Sequence, residues 1–379
     1  MGKTRMLNTF IEMVKIDSET WHEQEMHRYL LDKFQSLGLT TFEDNSMATT
    51  KLGSNNLVAK LAGTLDAEPI FFSSHTDTVV PGKGIEVEER DGMLYSKGET
   101  ILGADDKAGI AIMLEAIQRI QEEGIETGPL EFVLSPGEEL GLVGASALDF
   151  SLLEAKRGYV LDSAGEVGRV TIASPYLFKY NVTITGKSAH AGLAPETGIS
   201  CVDILTQALP KIKTGRLDAE TTANIGSIHG GEVTNIVLDK LTVYGEVRSI
   251  DLSKVETLLD EMKEAFETAA VEMGGSVEIE INQYATGFRI NKEQKVMQTL
   301  QTACDQLGLT VQEEVSGGGS DANAFNANGL EAVNLSIGYE EIHTVKEYVS
   351  IAEMEKAVDL VVELIKTVAT VKTPELVTN

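Results

Sequence analysis

What most narrows the fold of this chain is a rhythm of strand-length apolar runs set off by a long helical pattern. NLVAKLAG (56–63), PIFFSSH (69–75) and LEFVLS (130–135) read as strands. AGIAIMLEAIQRIQEEG (108–124) reads as a helix between the second and the third, with Ile110, Met113, Leu114, Ile117 and Ile120 on one stripe. Apolar strands separated by helices imply an α/β fold, its sheet covered on both faces. Upstream, LNTFIEMVKI and EQEMHRYLLDKFQSLGL carry helical spacing, with Gly38 as a stop.

From about residue 176 the pattern changes to one-sided alternation. Phe178, Tyr180, Val182 and Ile184 alternate with polar neighbours in YLFKYNVTIT. A helix follows at 199–212, then strands near ANIGSI and KLTVYGEVRSI, a helix through VETLLDEMKEAFETAAVEMGG, and the strand VEIEINQ. That order, β-α-β-β-α-β, is a ferredoxin-like α+β unit with helices on one face of its sheet and an open face opposite. From about 290 the chain returns to helix, strand and helix, ending in MEKAVDLVVELIKTVATV. The expectation is therefore two domains: 1–175 with 289–379 around a central mixed sheet, and 176–288 inserted into it. A length of 379 residues suits two cores.

The net charge of −28 argues against a nucleic-acid partner, whose phosphates reward clustered Lys and Arg. No apolar run approaches the roughly 18 residues of a membrane helix, and the N-terminal stretch lacks a signal peptide's apolar core. Met6 stands where a myristoylation motif needs Ser or Thr. Cys201 and Cys304 form no disulfide framework, so a reducing cytoplasm is the expected setting.

The chemistry gathers at strand ends. His75 and Asp77 in SSHTD follow an apolar strand and, two residues apart, share a face. Asp105 and Asp106 open the helix in GADDKAG; Glu138 and Glu139 follow a strand in SPGEELG; Asp162 ends YVLD; His343 follows VNLSI in SIGYEEIHTVKEYV. Each has a plain reading alone, as an N-cap, a solvated turn or a surface imidazole. In open α/β sheets, however, ligands bind outside the carboxyl ends of the strands, where all five stretches converge. So many acids in one cleft repel one another unless cations are bound. Mixed His and carboxylate donors suit zinc, with cobalt or manganese as alternatives. A two-metal site needs one bridging carboxylate and one unligated acid to take a proton from water, roles that neighbours such as Glu138 and Glu139 can divide. Asp77 can hydrogen-bond the His75 ring and fix its tautomer.

HTD, GADDKAG, PGEELG, YVLD, GKSAHAG, GGGSDAN and the late His of IHTVKEYV together resemble the co-catalytic zinc peptidase superfamily that includes peptidase T, carboxypeptidase G and aminoacylase. GADDKAG and the Asp of YVLD are most similar to the peptidase T (tripeptide aminopeptidase) branch, although SPGEE stands where that branch carries TPDEE. The resemblance implies a zinc-peptidase catalytic domain with an inserted lid and dimerisation domain, two divalent metal ions, short peptide substrates, and a homodimer joined through the insertion. His75 and Asp162 would bind the first metal, Glu139 and His343 the second, and Asp105 would bridge them. Asp106 would help form the tight turn, which in the family contains a cis peptide after the bridging Asp. Glu138 would be the general base on a metal-bridging water, and Asp77 would orient His75. His190 in SAHAG corresponds to a lid histidine that stabilises the oxyanion in the neighbouring subunit's site. Asn235 in VTNIV and Arg248 in GEVRSI match substrate-holding lid positions, with Thr242, Tyr244, Glu246 and Arg248 on one sheet face. Gly318 and Gly319 match a loop that approaches substrate closely.

The expected activity is hydrolysis of the N-terminal peptide bond of short peptides. An N-acyl amino acid deacylase or a carboxypeptidase would use the same metal site; a non-catalytic metal-dependent binding protein would not need the unligated Glu138. His22 and His27 read as surface-helix residues, and His229 as structural or peripheral.

Overall fold

The computed structural model describes residues 2–370. Val371, which the sequence pattern includes in the last helix, and the rest of 371–379 lie outside the described residues. The chain divides into two compact units, one running up to Ala173 and resuming at Arg289, the other being Ser174–Phe288.

The first unit is built on a mixed sheet. Strands Thr40–Glu43, Leu57–Leu61, Leu130–Ser135, Ile70–His75, Arg157–Ser163 and Glu331–Ser336 lie side by side in that order. Ile70–His75 runs parallel to both neighbours, with His75 opposite Ser135 and Ser73 opposite Val160. Three adjacent strands thus end together, which is the arrangement that creates a site at the carboxyl edge. Ile70–His75 and Leu130–Ser135 are buried throughout, as their unbroken apolar sequence implies. The rings of Phe72, Phe132 and Tyr159 stack across these strands with centroids 5.9 Å apart, each fully buried. A Phe so placed contributes roughly 1.5–3 kcal/mol of burial.

Helix Ala104–Glu123 ends at Gly124, whose φ of 63° supplies the left-handed C-terminal turn that a side chain would disfavour. One apolar stripe is what its sequence suggests, yet it is buried around almost its whole circumference as far as Ile117. It packs on strands Ile70–His75 and Arg157–Ser163 while helices Gly2–Val14 and Ile351–Thr370 cover its outer side. Gly109 explains how closely it seats: a Cβ there would lie 2.4 Å from the Leu161 carbonyl oxygen, 2.5 Å from Ser74 Oγ and 2.6 Å from Asp106 Oδ1. Only a bare backbone lets the helix mouth come this near the strand ends. His27 also departs from expectation. It lies on helix Gln24–Ser36 but is buried, its Nε2 2.7 Å from Glu43 Oε1, because the helix turns that face inward toward strand Thr40–Glu43.

In the second unit, strands Thr221–His229, Lys240–Ser249, Tyr176–Thr185 and Ser276–Ala285 form an antiparallel sheet in that order, the ferredoxin-like arrangement. Helices Cys201–Ala208 and Leu252–Met273 bury Cys201, Ile204, Phe266 and Ala269 against Val182, Ile184 and Val243. Ser200 and Asp251 cap them, accepting the amides of Asp203 and Ser253. Leu241, Val243 and Val247 face this core, while Thr242, Tyr244, Glu246 and Arg248 occupy the opposite, less buried face. No helix among the described residues is long and apolar enough to cross a membrane.

Candidate active site

The shared ends of the parallel strands deliver three parts of the site. His75 is the last residue of its strand; Glu138 and Glu139 start the 3₁₀ turn Glu138–Leu140 just beyond Ser135; Asp162 is the penultimate residue of Arg157–Ser163. The mouth of helix Ala104–Glu123 adds Asp105, where the backbone is not yet helical (φ −81°, ψ 100°) and the Asp105–Asp106 peptide is cis. The loop between strands Tyr339–Glu340 and Tyr348–Ser350 adds His343.

These side chains meet around Asp105. His75 Nε2 lies 2.9 Å from Asp105 Oδ1 and 3.7 Å from Asp162 Oδ1. His343 Nε2 lies 3.3 Å from Asp105 Oδ2 and 3.0 Å from Glu139. The two oxygens of one carboxylate therefore face two different imidazoles. Three donor sets converge, His75–Asp105–Asp162, Asp105–Glu139–His343 and His75–Glu138–Glu139, with the ligand atoms of each set within 4.8 Å of one another.

The donor set fits divalent cations. Nδ1 of His75 faces only acceptors, the Asp77 backbone oxygen at 3.0 Å and its carboxylate at 3.4 Å. Nδ1 therefore carries a proton, which leaves Nε2 as the nitrogen that would ligate a cation placed among the acids, as in a metal-ligating histidine. No Lys or Arg nitrogen comes within ion-pair distance of Asp105, Asp162, Glu138 or Glu139 among the described residues. Withdrawal from water raises the Glu138 carboxyl well above the usual carboxylate range; His75 pulls it down, and Asp162, Asp321 and Glu139 push it further up. Burial likewise raises Asp162, with the charge of Asp105 adding to the rise. The His343 imidazole is pushed up to about 10, chiefly by its hydrogen bonds with Asp105 and Glu139. Burial is the largest cause for the two carboxyls, and the crowding of neighbouring acids adds to it.

Asp77 has a wider task than orienting one ring. Its carboxylate also accepts the Glu138 amide at 3.0 Å and the Thr20 hydroxyl at 2.7 Å, tying the His75 strand to the glutamate turn. Tyr339, fully buried, donates its hydroxyl to Asp162 Oδ1 at 2.8 Å, and Asn334 brackets the Asp162 backbone with two hydrogen bonds. Asp321, after the Gly317–Gly319 loop, accepts from Ser135 Oγ. Gly318 donates its amide to Ser316 Oγ at 3.0 Å, and Gly319 sits where a Cβ would come within 3.3 Å of Leu142. Sequence reasoning missed Thr20, Asn334 and Tyr339. The nearest signal was that Asn334 lies within the late strand VNLSI and Tyr339 just beyond it.

In the inserted unit, His190 and Asn235 are exposed and lie on adjacent segments: the Ala191 amide donates to the Asn235 carbonyl at 3.0 Å, and His190 bridges to Ile236. His190 Nδ1 accepts the Gly192 amide at 3.1 Å. Arg248 lies on a different strand, its Nε 2.8 Å from Glu246 Oε1.

Comparison with known proteins places the chain in a family. Residues 71–367 match peptidase family M20/M25/M40. The aminopeptidase PepT of Bacillus cereus ATCC 10987 is 47% identical and superposes with a TM-score of 0.94 over 97% of this chain and 99% of its own. A tripeptidase of Staphylococcus aureus subsp. aureus Mu50 is 42% identical, with a TM-score of 0.94 over 97% and 98%. The uncharacterized protein YqjE of Bacillus subtilis (strain 168) is 45% identical over 97% of this chain and 100% of its own. With its family motifs gathered at the carboxyl edge of this sheet, the chain belongs to peptidase family M20/M25/M40 and is a peptidase.

Proposed function

We propose that this peptidase is a dinuclear, zinc-dependent aminopeptidase that cleaves the N-terminal bond of short peptides, tripeptides above all. The observation that carries the reading is Asp105, whose Oδ1 and Oδ2 each face a different imidazole, as a carboxylate shared by two cations must. His75 and Asp162 would hold one metal, Glu139 and His343 the other. Bound there, the pair would supply Lewis acidity toward the scissile carbonyl and toward water.

The chain's own residues supply the rest. Glu138 is the general base: its carboxyl, raised by burial, takes a proton from the attacking water and returns it to the leaving amine. Asp77 keeps the proton on Nδ1 of His75 and, through the Glu138 amide, fixes the base relative to that ring. In the inserted unit we assign His190 to the oxyanion and Asn235 and Arg248 to the substrate, with Gly318 and Gly319 as its backbone contact. The motif matches support these roles, as does the position of Arg248 on the less buried sheet face, where its planar fork suits a peptide carboxylate. The same matches lead us to propose a cytoplasmic homodimer joined through residues 176–288.

A panel of free and N-acetylated di- and tripeptides, assayed before and after chelation and zinc return, tests the substrate. Free tripeptides should lose their first residue only with zinc present, and N-acetylated ones should be inert. Cleavage confined to acylated amino acids would make the protein a deacylase instead.

A further inference from the structure

Glu347 is four residues beyond His343 and 242 residues from Asp105, yet it is spent on the Asp105 segment. It is 2% exposed, and both carboxylate oxygens accept backbone amides there. Oε2 accepts from Leu102 at 2.7 Å and Gly103 at 2.8 Å, and Oε1 from Asp105 at 3.0 Å. Those amides need an outside acceptor. Gly103 is left-handed at φ 74°, and Asp105 and Asp106 depart from helical geometry, so the turn that aims Asp105 lacks a helix's own hydrogen bonding.

The loop that supplies Glu347 is itself held tightly. Glu341 and His343 both take left-handed φ, 55° and 61°, a conformation that a side-chain-bearing residue rarely adopts. Thr344 fixes it: its hydroxyl donates to the Glu341 carbonyl at 2.7 Å and accepts the Lys346 amide at 3.1 Å, while its carbonyl accepts the Glu347 amide at 3.2 Å. One short loop therefore presents His343 to one oxygen of Asp105 and clamps the backbone beneath the same residue.

We propose that Glu347 is a positioning residue that holds Asp105 between the two imidazoles, so that one buried carboxylate outside the donor sets governs affinity at both metal positions. The inference rests on the dinuclear reading above, and it concerns preorganisation: without Glu347 the donors remain present but Asp105 must be ordered when the cations bind.

The test compares Glu347→Gln, which keeps the volume and one acceptor oxygen, with Glu131→Gln. Glu131 is a control of like burial, 2% exposed and accepting the Glu154 and Ala155 amides at the opposite end of strand Leu130–Ser135, where it also pairs with Lys60 at 2.8 Å. Zinc is titrated calorimetrically into each metal-free protein, with hydrogen exchange over residues 100–106 and thermal melts alongside. We expect Glu347→Gln to weaken zinc binding at both positions by about 10–100-fold, to speed exchange over 100–106, and to lower kcat with KM within about twofold. Glu131→Gln should lower Tm and leave zinc affinity at the wild-type value. Should Glu347→Gln not accumulate as folded protein, Glu347→Asp, one methylene shorter, carries the same test. Wild-type zinc affinity in the Glu347 variants, or equal weakening by Glu131→Gln, overturns the proposal. A wild-type protein that binds one zinc or none overturns the dinuclear reading instead, and this inference with it.

Discussion

Two acidic clusters in the same unit make the most instructive contrast in the molecule. Behind helix Ala104–Glu123, Glu115 is 5% exposed and accepts both Nε and Nη2 of Arg5, at 2.8 and 2.7 Å, while Glu122 pairs with the same guanidinium. At the mouth of that helix, Asp105, Asp162, Glu138 and Glu139 crowd together, and among the described residues His75 and His343 are the basic side chains in reach. The first cluster is a closed account, one planar cation forked onto the acid that most needs it. The second has carboxylates in excess of its two imidazoles, the charge pattern of a cation site. The two ends of one helix thus carry a structural ion pair and a candidate metal site.

The contrast is broken most severely by Asp105→Asn. It removes the charge that two of the three donor sets share, and we expect zinc content to fall toward zero and kcat/KM to drop on the order of 10³-fold, read by elemental analysis and peptide assay. Asp77→Asn should be milder, about 10–100-fold in zinc affinity or turnover, because it loosens His75 and the Glu138 turn without deleting a donor. Arg5→Ala should do the reverse. Leaving Glu115 buried without its partner should cost about 2–3 kcal/mol in denaturant melts while zinc stoichiometry stays unchanged. If Arg5→Ala lowered zinc content as Asp105→Asn does, the two clusters would not be independent.

How much of this could be read in the sequence depended on distance along the chain. His75, Asp105, Glu138, Glu139, Asp162 and His343 were legible because each ends an apolar strand or opens a helix, and because their motifs resemble a known superfamily in order. The ferredoxin-like order of the insertion was legible too, since alternation such as that of Phe178, Tyr180, Val182 and Ile184 records one buried face. The supporting contacts were not. Tyr339 reaches Asp162 across 177 residues and Thr20 reaches Asp77 across 57. A tyrosine or threonine has an ordinary residue type, and nothing local to it records a partner brought near only by the sheet. Likewise His27 reads as a surface-helix residue until strand Thr40–Glu43 folds back beside helix Gln24–Ser36. The full burial of helix Ala104–Glu123 was hidden for the same reason, since its periodicity shows one covered face and not the helices covering the other.

The central claim is that Glu138 moves the proton while other residues hold the metals. It is tested most directly by Glu138→Gln, with zinc content and tripeptide turnover measured on the same preparation. The variant should carry two zinc ions per chain, as we expect of the wild type, and have lost on the order of 10²–10⁴-fold in kcat. Near-wild-type turnover, or loss of a zinc ion together with activity, would contradict the account.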